Sequence, residues 1–165
     1  MNAGAYGGEM SDVIVACERA TAAGDLAWMP SEELDFSYRH TVFSAGDCIV
    51  TGVRYRLEPG DRSRIKDRMD YLLECRRQKQ PLEFPSAGST FKRPEGSYAS
   101  LLIEQCGLKG LTVGGAQVSE KHSGFVINRN NATFDDIMTL IGQIREHVER
   151  QTGYRLECEM RIFDR

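Results

Sequence analysis

Pro85-Ser86-Ala87-Gly88-Ser89-Thr90-Phe91-Lys92-Arg93-Pro94 surrounds one hydroxyl, that of Ser89, with backbone freedom and positive charge. Gly88 permits backbone angles closed to residues with a Cβ, and Pro85 and Pro94 stop the segment from continuing a helix or a central strand. The same residue types also build ordinary surface turns. On its own the run therefore favours an ordinary turn over a proton donor set beside an anion.

Working outward, the segment stands between two helical patterns. Upstream, Glu58-Pro59-Gly60-Asp61 ends a strand and offers Asp61 as a helix N-cap, and a domain boundary is placed there. Ile65, Met69, Leu72 and Leu73 then recur at helical spacing, opposite a basic face, in an amphipathic helix ending near Gln80-Pro81. Downstream, Ser97 is a candidate cap for a short helix through Leu101, Leu102 and Ile103, closed by Gly107. Residues 111–118 and 125–128 are β-like. Thr133 with Asp136 makes a capping box for a long helix through Ile137, Leu140, Ile141, Ile144 and Val148, ended by Gly153. Tyr154, Leu156, Cys158, Met160 and Ile162 alternate with charged residues as a last strand. Toward the N-terminus, alternation around Val13 to Cys17 and Ile49 to Leu57 predicts paired strands of one sheet. The fold class is α+β.

The 165 residues, 41% of them hydrophobic, are enough for one domain or for one domain and part of another. A formal net charge of −3 gives no global argument for binding nucleic acid or a membrane surface. The basic face between Arg62 and Lys79 reads as solvated rather than as a nucleic-acid contact. Five scattered cysteines, with no pair at metal-ligand or redox-motif spacing, point to a reducing, cytoplasmic compartment. No segment approaches the ~20 apolar residues of a membrane-spanning helix.

Several chemistries are excluded by spacing. Gly107, Gly110, Gly114 and Gly115 do not form a dinucleotide-binding Gly-x-Gly-x-x-Gly, and no Gly-Lys-Ser/Thr occurs. Ala87-Gly88-Ser89-Thr90-Phe91 lacks the second glycine of a nucleophile elbow. His40, His122 and His147 show no metal-ligand spacing and read as surface or hydrogen-bonding histidines, so no metal site is expected.

Four segments in order carry a resemblance: Asn2-Ala3-Gly4-Ala5-Tyr6-Gly7-Gly8-Glu9-Met10, Ser37-Tyr38-Arg39-His40-Thr41, the Ser89 run, and Leu156-Glu157-Cys158-Glu159-Met160-Arg161. Gly107-Leu108-Lys109-Gly110, Gly114-Gly115-Ala116, Val118-Ser119-Glu120-Lys121-His122 and Phe125-Val126-Ile127-Asn128 fit the same pattern. Together they resemble the UDP-N-acetylenolpyruvoylglucosamine reductases of peptidoglycan precursor synthesis, in the shorter type II form.

That resemblance implies a flavoenzyme, holding FAD and taking electrons from NADPH, that reduces UDP-N-acetylglucosamine enolpyruvate to UDP-N-acetylmuramate. It implies that 1–60 is the C-terminal part of a flavin-binding domain and that 61–165 is a substrate-binding domain, so that the chain corresponds to roughly the C-terminal half of the longer enzyme. By the same resemblance Arg39, Ser89 and Glu159 are catalytic. Gly4, Ala5 and Gly7 approach flavin, and Tyr6, Lys79 and Arg93 approach substrate. Arg93 stands where many relatives carry Asn, and Lys92 is expected to orient the loop. The competing reading is a UDP-sugar-binding module without catalysis. Neither reading requires an obligate protein partner.

Overall fold

The computed structural model describes residues 1–162. The chain divides into two compact units, Met1–Leu72 and a second that begins at Leu73. The division falls inside helix α1 (Arg62–Lys79), downstream of the sequence boundary at 60/61.

In the first unit, strands β1 (Gly4–Ala5) and β2 (Gly8–Glu9) form an antiparallel hairpin. The glycine-rich start, which reads as flexible in sequence, is ordered by contacts across the hairpin. The buried Asn2 donates through Nδ2 to Glu9 Oε2 at 2.7 Å and accepts from the Ser11 amide at 3.0 Å. Strands β3 (Ile14–Thr21), β4 (Leu26–Pro30) and β5 (Cys48–Tyr55) make a three-stranded antiparallel sheet in the order β4-β3-β5. The β3–β5 pairing is the one the alternation predicts. Gly52 lies opposite Glu18, and a Cβ there would press on the Trp28 ring at 3.2 Å and on Glu18 at 3.4 Å.

Burial departs from the alternation. Ile49 is 71% exposed, and Val53, Tyr55 and Leu57 are exposed as well. Helix α1 forms where expected, with the Arg64 amide donating to Asp61 Oδ1 at 2.9 Å as an N-cap. None of its residues is buried, however, and Ile65, Met69 and Leu73 are exposed. Along α1 arginines and lysines alternate with the apolar positions, so spacing alone overstates how far this helix separates a dry face from a wet one.

The second unit packs α2 (Ala99–Gln105) and α3 (Phe134–Thr152) with a four-stranded antiparallel sheet of order β6-β9-β8-β7. The strands are β6 (Ser86–Ser89), β7 (Thr112–Val113), β8 (Ala116–Val118) and β9 (Phe125–Asn128). Leu140, Ile141, Ile144 and Val148 of α3 meet Leu102 and Ile103 of α2, Val118, Val126 and Phe91 in one core.

Thr133 and Asp136 form the expected capping box, and Gly153 closes α3 in the left-handed region. Helix α2 starts one residue later than predicted: Tyr98, with no side-chain cap bond, takes the N-cap instead of Ser97. It ends in a Schellman arrangement, with Gly107 N–H donating to Glu104 and Leu108 N–H to Ile103. The Gly114-Gly115 pair turns between β7 and β8, where a Cβ at Gly115 would overlap the backbone of Asn130 and Ala132.

The predicted last strand is reduced to a single antiparallel bridge, Phe91 with Cys158. Its apolar alternation survives in the packing, with Leu156 buried and Cys158 and Met160 against the core.

Candidate active site

The geometry around Ser89 begins with a defect in β6. Ser86 pairs with Ile127 and Ser89 with Phe125, so Ala87 and Gly88 together oppose the single residue Val126. Within it Gly88 takes φ +85°, a left-handed conformation open to glycine. A bulge re-aims the side chain that follows it, and here that side chain is Ser89, which is exposed.

Next to it, Thr90 is 1% exposed and joins three pieces of chain. Its amide donates to Gly124 O at 2.9 Å, its Oγ1 accepts from the Val126 amide at 3.0 Å, and its carbonyl accepts from the Glu159 amide at 2.9 Å. The Val126 N–H, opposite the bulge, is thus satisfied by a side chain instead of the strand ladder.

The C-terminal segment completes the arrangement. Glu159 N–H to Thr90 O and Lys92 N–H to Glu157 O flank Phe91 and Cys158, which form a non-hydrogen-bonded antiparallel pair with Cα atoms about 4.5 Å apart. The segment that bears Glu159 is therefore tied by a backbone hydrogen bond to Thr90, the residue that follows Ser89. Lys92 Nζ reaches Glu157 Oε2 at 3.0 Å across the same ladder, a contact that suits its expected part in orienting the loop. The Arg93 guanidinium lies over the Tyr98 ring, 4.1 Å from its centroid. Lys79 is the exposed last residue of α1.

The remaining candidates fall in the first unit. Tyr6 and Gly7 form the two-residue tip of the β1–β2 hairpin at φ +53° and +85°, the pattern of a type I′ turn. Asn-Gly is the favoured occupant of that turn, so Tyr6 adopts a left-handed conformation that its side chain disfavours. Gly4, Ala5 and Gly7 are exposed along this hairpin, and a Cβ at Gly7 would meet nothing within 4 Å.

Arg39 is the third residue of a tight turn in which Ser37 and His40 exchange backbone hydrogen bonds at 3.2 and 3.4 Å. It is half-buried and also sits at positive φ, +59°. Tyr6 and Arg39 are two of the four non-glycine residues at positive φ among the described residues. Such strain concentrates at sites where a side chain's position matters more than backbone comfort.

Sequence reasoning passed over Thr90, Tyr98 and the role of His122. The ring of His122 is half-buried and edge-on to Phe125 at 4.9 Å, and its Nδ1 accepts from the Gly124 amide at 3.1 Å. Burial holds its imidazole below the ordinary value, with Lys109 also lowering it and hydrogen bonding and Glu104 acting the other way. The one available signal was His122 two residues before a glycine in a short loop between two β-like runs. Among the described residues no group of His, Cys, Asp and Glu is arranged to hold a metal, and no helix is long and apolar enough to cross a membrane.

The profile of the "UDP-N-acetylenolpyruvoylglucosamine reductase, C-terminal domain" matches residues 80–163, just over half of the chain. A UDP-N-acetylenolpyruvoylglucosamine reductase of Agathobacter rectalis is 50% identical over 163 residues, covering 99% of this chain and 52% of the relative. The protein of that name from Caldanaerobacter subterraneus is 48% identical over 162 residues, covering 98% and 54%. The crystal structure of UDP-N-acetylenolpyruvylglucosamine reductase from Thermus caldophilus superposes with a TM-score of 0.84 at 35% identity, over 99% of this chain and 58% of that one. The chain thus spans about half the length of the curated relatives it matches. With the α+β architecture and these matches in agreement, the chain belongs to the UDP-N-acetylenolpyruvoylglucosamine reductase family and carries its C-terminal domain.

Proposed function

We propose that this chain supplies the substrate-reducing face of an FAD- and NADPH-dependent enzyme that converts UDP-N-acetylglucosamine enolpyruvate to UDP-N-acetylmuramate for peptidoglycan synthesis. The observation that carries the reading is the backbone bond from Glu159 N–H to Thr90 O, which ties the segment bearing Glu159 to the residue next to Ser89. Addition of hydride to an enolpyruvyl ether leaves negative charge that spreads into its carboxylate, and the adjacent carbon must then take a proton. A hydroxyl on a bulge and a carboxyl across one peptide bond are suited to those two ends of the reaction.

Ser89 gives its proton to that carbon. Glu159, in its protonated form, donates a hydrogen bond to the developing charge. Arg39 pairs with the substrate carboxylate as a fixed cation, which a guanidinium does in two-pronged fashion. Lys79, Arg93 and Tyr6 contact the nucleotide and sugar portions. A flavin held beside these residues would, once reduced by NADPH, supply the hydride. The exposed Gly4–Gly7 hairpin suits its close approach, because no Cβ blocks Gly7 and backbone groups are presented. Residues 1–60 act as part of the flavin-binding domain and 61–165 as the substrate domain. A cytoplasmic location is supported by five free cysteines.

The test uses this chain joined to the N-terminal part of the Agathobacter rectalis relative. Ser89→Ala slows substrate-dependent reoxidation of the flavin by about 10²-fold or more, the scale of lost general-acid help. Flavin reduction by NADPH stays nearly unchanged. If both half-reactions fall together, Ser89 is structural. If the hybrid binds UDP-sugar without ever oxidising NADPH, the non-catalytic module is the correct reading.

A further inference from the structure

A chain of hydrogen bonds runs from the His122 imidazole to the two facing strands. Gly124 N–H donates to His122 Nδ1 at 3.1 Å, Thr90 N–H to Gly124 O at 2.9 Å, and Glu159 N–H to Thr90 O at 2.9 Å. The first of these bonds fixes the turn. A ring nitrogen accepting from the amide two residues later reproduces the Asx turn that Asn and Asp make with a side-chain oxygen.

The turn is held elsewhere too. Ser119 Oγ, buried, accepts from the amides of Lys121 and His122 at 3.1 and 3.2 Å, and Phe125 N–H donates to His122 O at 3.0 Å. Gly124 leaves little room for a side chain, since a Cβ there would lie 3.1 Å from the imidazole and 3.3 Å from Ser100 of α2. A lone pair on Nδ1 is therefore built into the surface on which Thr90 rests.

We propose that His122 is a positioning residue of the reductase site: its unprotonated Nδ1 clips the 122–125 turn, and through Thr90 sets the spacing of Ser89 and Glu159, so that protonating the ring loosens the pair. The inference rests on the reading of Ser89 and Glu159 as the reacting groups, and it adds a control that their own chemistry does not supply. An imidazolium has no acceptor, so Gly124 N–H loses its partner when the ring is charged.

The charged groups acting on the ring are Glu104 at the end of α2 and Lys109 beyond it, themselves paired at 2.7 Å, while the neighbouring Lys121 is engaged with Glu83 at 3.4 Å. Burial keeps the folded-state value below that of an exposed histidine. The neutral ring is thus favoured by folding, and its contribution is complete above the ordinary histidine range. It is lost as pH falls from that range through the depressed folded value.

Asn at 122 keeps an acceptor at the place of Nδ1 and does not titrate, whereas Ala removes it. Amide exchange, corrected for intrinsic rates, is read by NMR on this chain from about pH 8 down to about pH 5, across the histidine range. In the unsubstituted chain, protection of the Thr90 and Glu159 amides falls about tenfold with acid, as for one lost hydrogen bond. His122→Asn holds the high protection throughout, and His122→Ala shows the low protection at every pH.

Protection at Thr90 and Glu159 that is the same in His122→Ala as in the unsubstituted chain, or a His122→Asn profile that falls with acid like the unsubstituted one, overturns the proposal. In the hybrid enzyme, substrate-dependent flavin reoxidation falls toward acid more steeply with His122 than with His122→Asn, with KM little changed. If Ser89→Ala leaves that half-reaction intact while the exchange profile behaves as described, the assignment of the reacting groups fails and the clip itself stands. If Ser89→Ala slows the reaction but the exchange profiles are flat, the clip fails alone.

Discussion

Replacing Thr90 by Val asks whether one buried oxygen holds the bulged segment to β9. The two side chains have nearly the same shape, so no cavity is left. What disappears is Oγ1, which accepts the Val126 amide at 3.0 Å. Thr90 is 1% and Val126 7% exposed, so water cannot take over that bond. A buried amide left without an acceptor costs about 1–3 kcal/mol, and the added methyl returns at most about 0.8 kcal/mol. With the methyl's full return the net loss is about 0.2–2 kcal/mol, and a unit of this size loses about 4–8 °C of Tm per kcal/mol. Thermal unfolding followed by far-UV circular dichroism reads the shift, and amide exchange at Val126 locates it. Thr90→Ser, which keeps the oxygen and drops only a methyl, leaves the Val126 amide protected. A Thr90→Val chain that melts at or above the original temperature, with Val126 still protected, refutes the reasoning.

Two glycines separate strain from collision. Gly88→Ala at φ +85°, with nothing within 4 Å of the new Cβ, lowers stability by about 1–2 kcal/mol in urea titration, whereas Gly115→Ala, which meets the Asn130 and Ala132 backbone, abolishes cooperative unfolding of the second unit. In the ladder, Leu156→Ala destabilises by about 2–5 kcal/mol, but Lys92→Met, which breaks an exposed ion pair, changes stability by less than about 1 kcal/mol in the same titration. Tyr6→Asn relieves the left-handed tip and slows amide exchange across Gly4–Glu9, by an amount equivalent to about 1 kcal/mol. Faster exchange in that variant contradicts the strain assignment.

What the sequence discloses and what it hides divide along one physical line. Features written in local spacing are legible: the Thr133–Asp136 capping box, the Asp61 cap, the closing glycines at 107 and 153 and the β3–β5 pairing all stand in the structure. Features that depend on a distant partner are not. The N-terminal glycines look flexible until Asn2 is seen bonded to Glu9 and Ser11. In the alternation from Tyr154 to Ile162 only Leu156, Cys158 and Met160 turn inward while Tyr154 and Ile162 stay exposed, and only Phe91 and Cys158 supply a bridge, so no full strand forms. Apolar spacing in β5 and α1 likewise describes a pattern and not a burial. At the site, Ser89 is conspicuous through its own neighbours, while Thr90 is bonded to Gly124, Val126 and Glu159, each 34 or more residues away in sequence, and His122 reaches it only through Gly124.

The arrangement also explains why so polar a site is fastened by apolar means. Among its cross-strand contacts, the Lys92–Glu157 pair is exposed and contributes little. The face shared by Phe91 and Cys158 is different: Phe91 is part of the core and Cys158 packs against it, alongside Leu156 and within the cluster built by Leu140, Ile141 and Ile144 of α3. Burial of that face holds residues 157–159 against 90–92, and the peptide bonds on either side then fix where Glu159 begins relative to Ser89. The bulge at Gly88 does the complementary task on the other strand, directing the hydroxyl out while Thr90 stays in. Position at the site is thus inherited from packing on the opposite side of the same ladder. A core substitution in α3 therefore disturbs the backbone positions of Ser89 and Glu159 together, whereas a surface charge change beside them leaves their spacing intact.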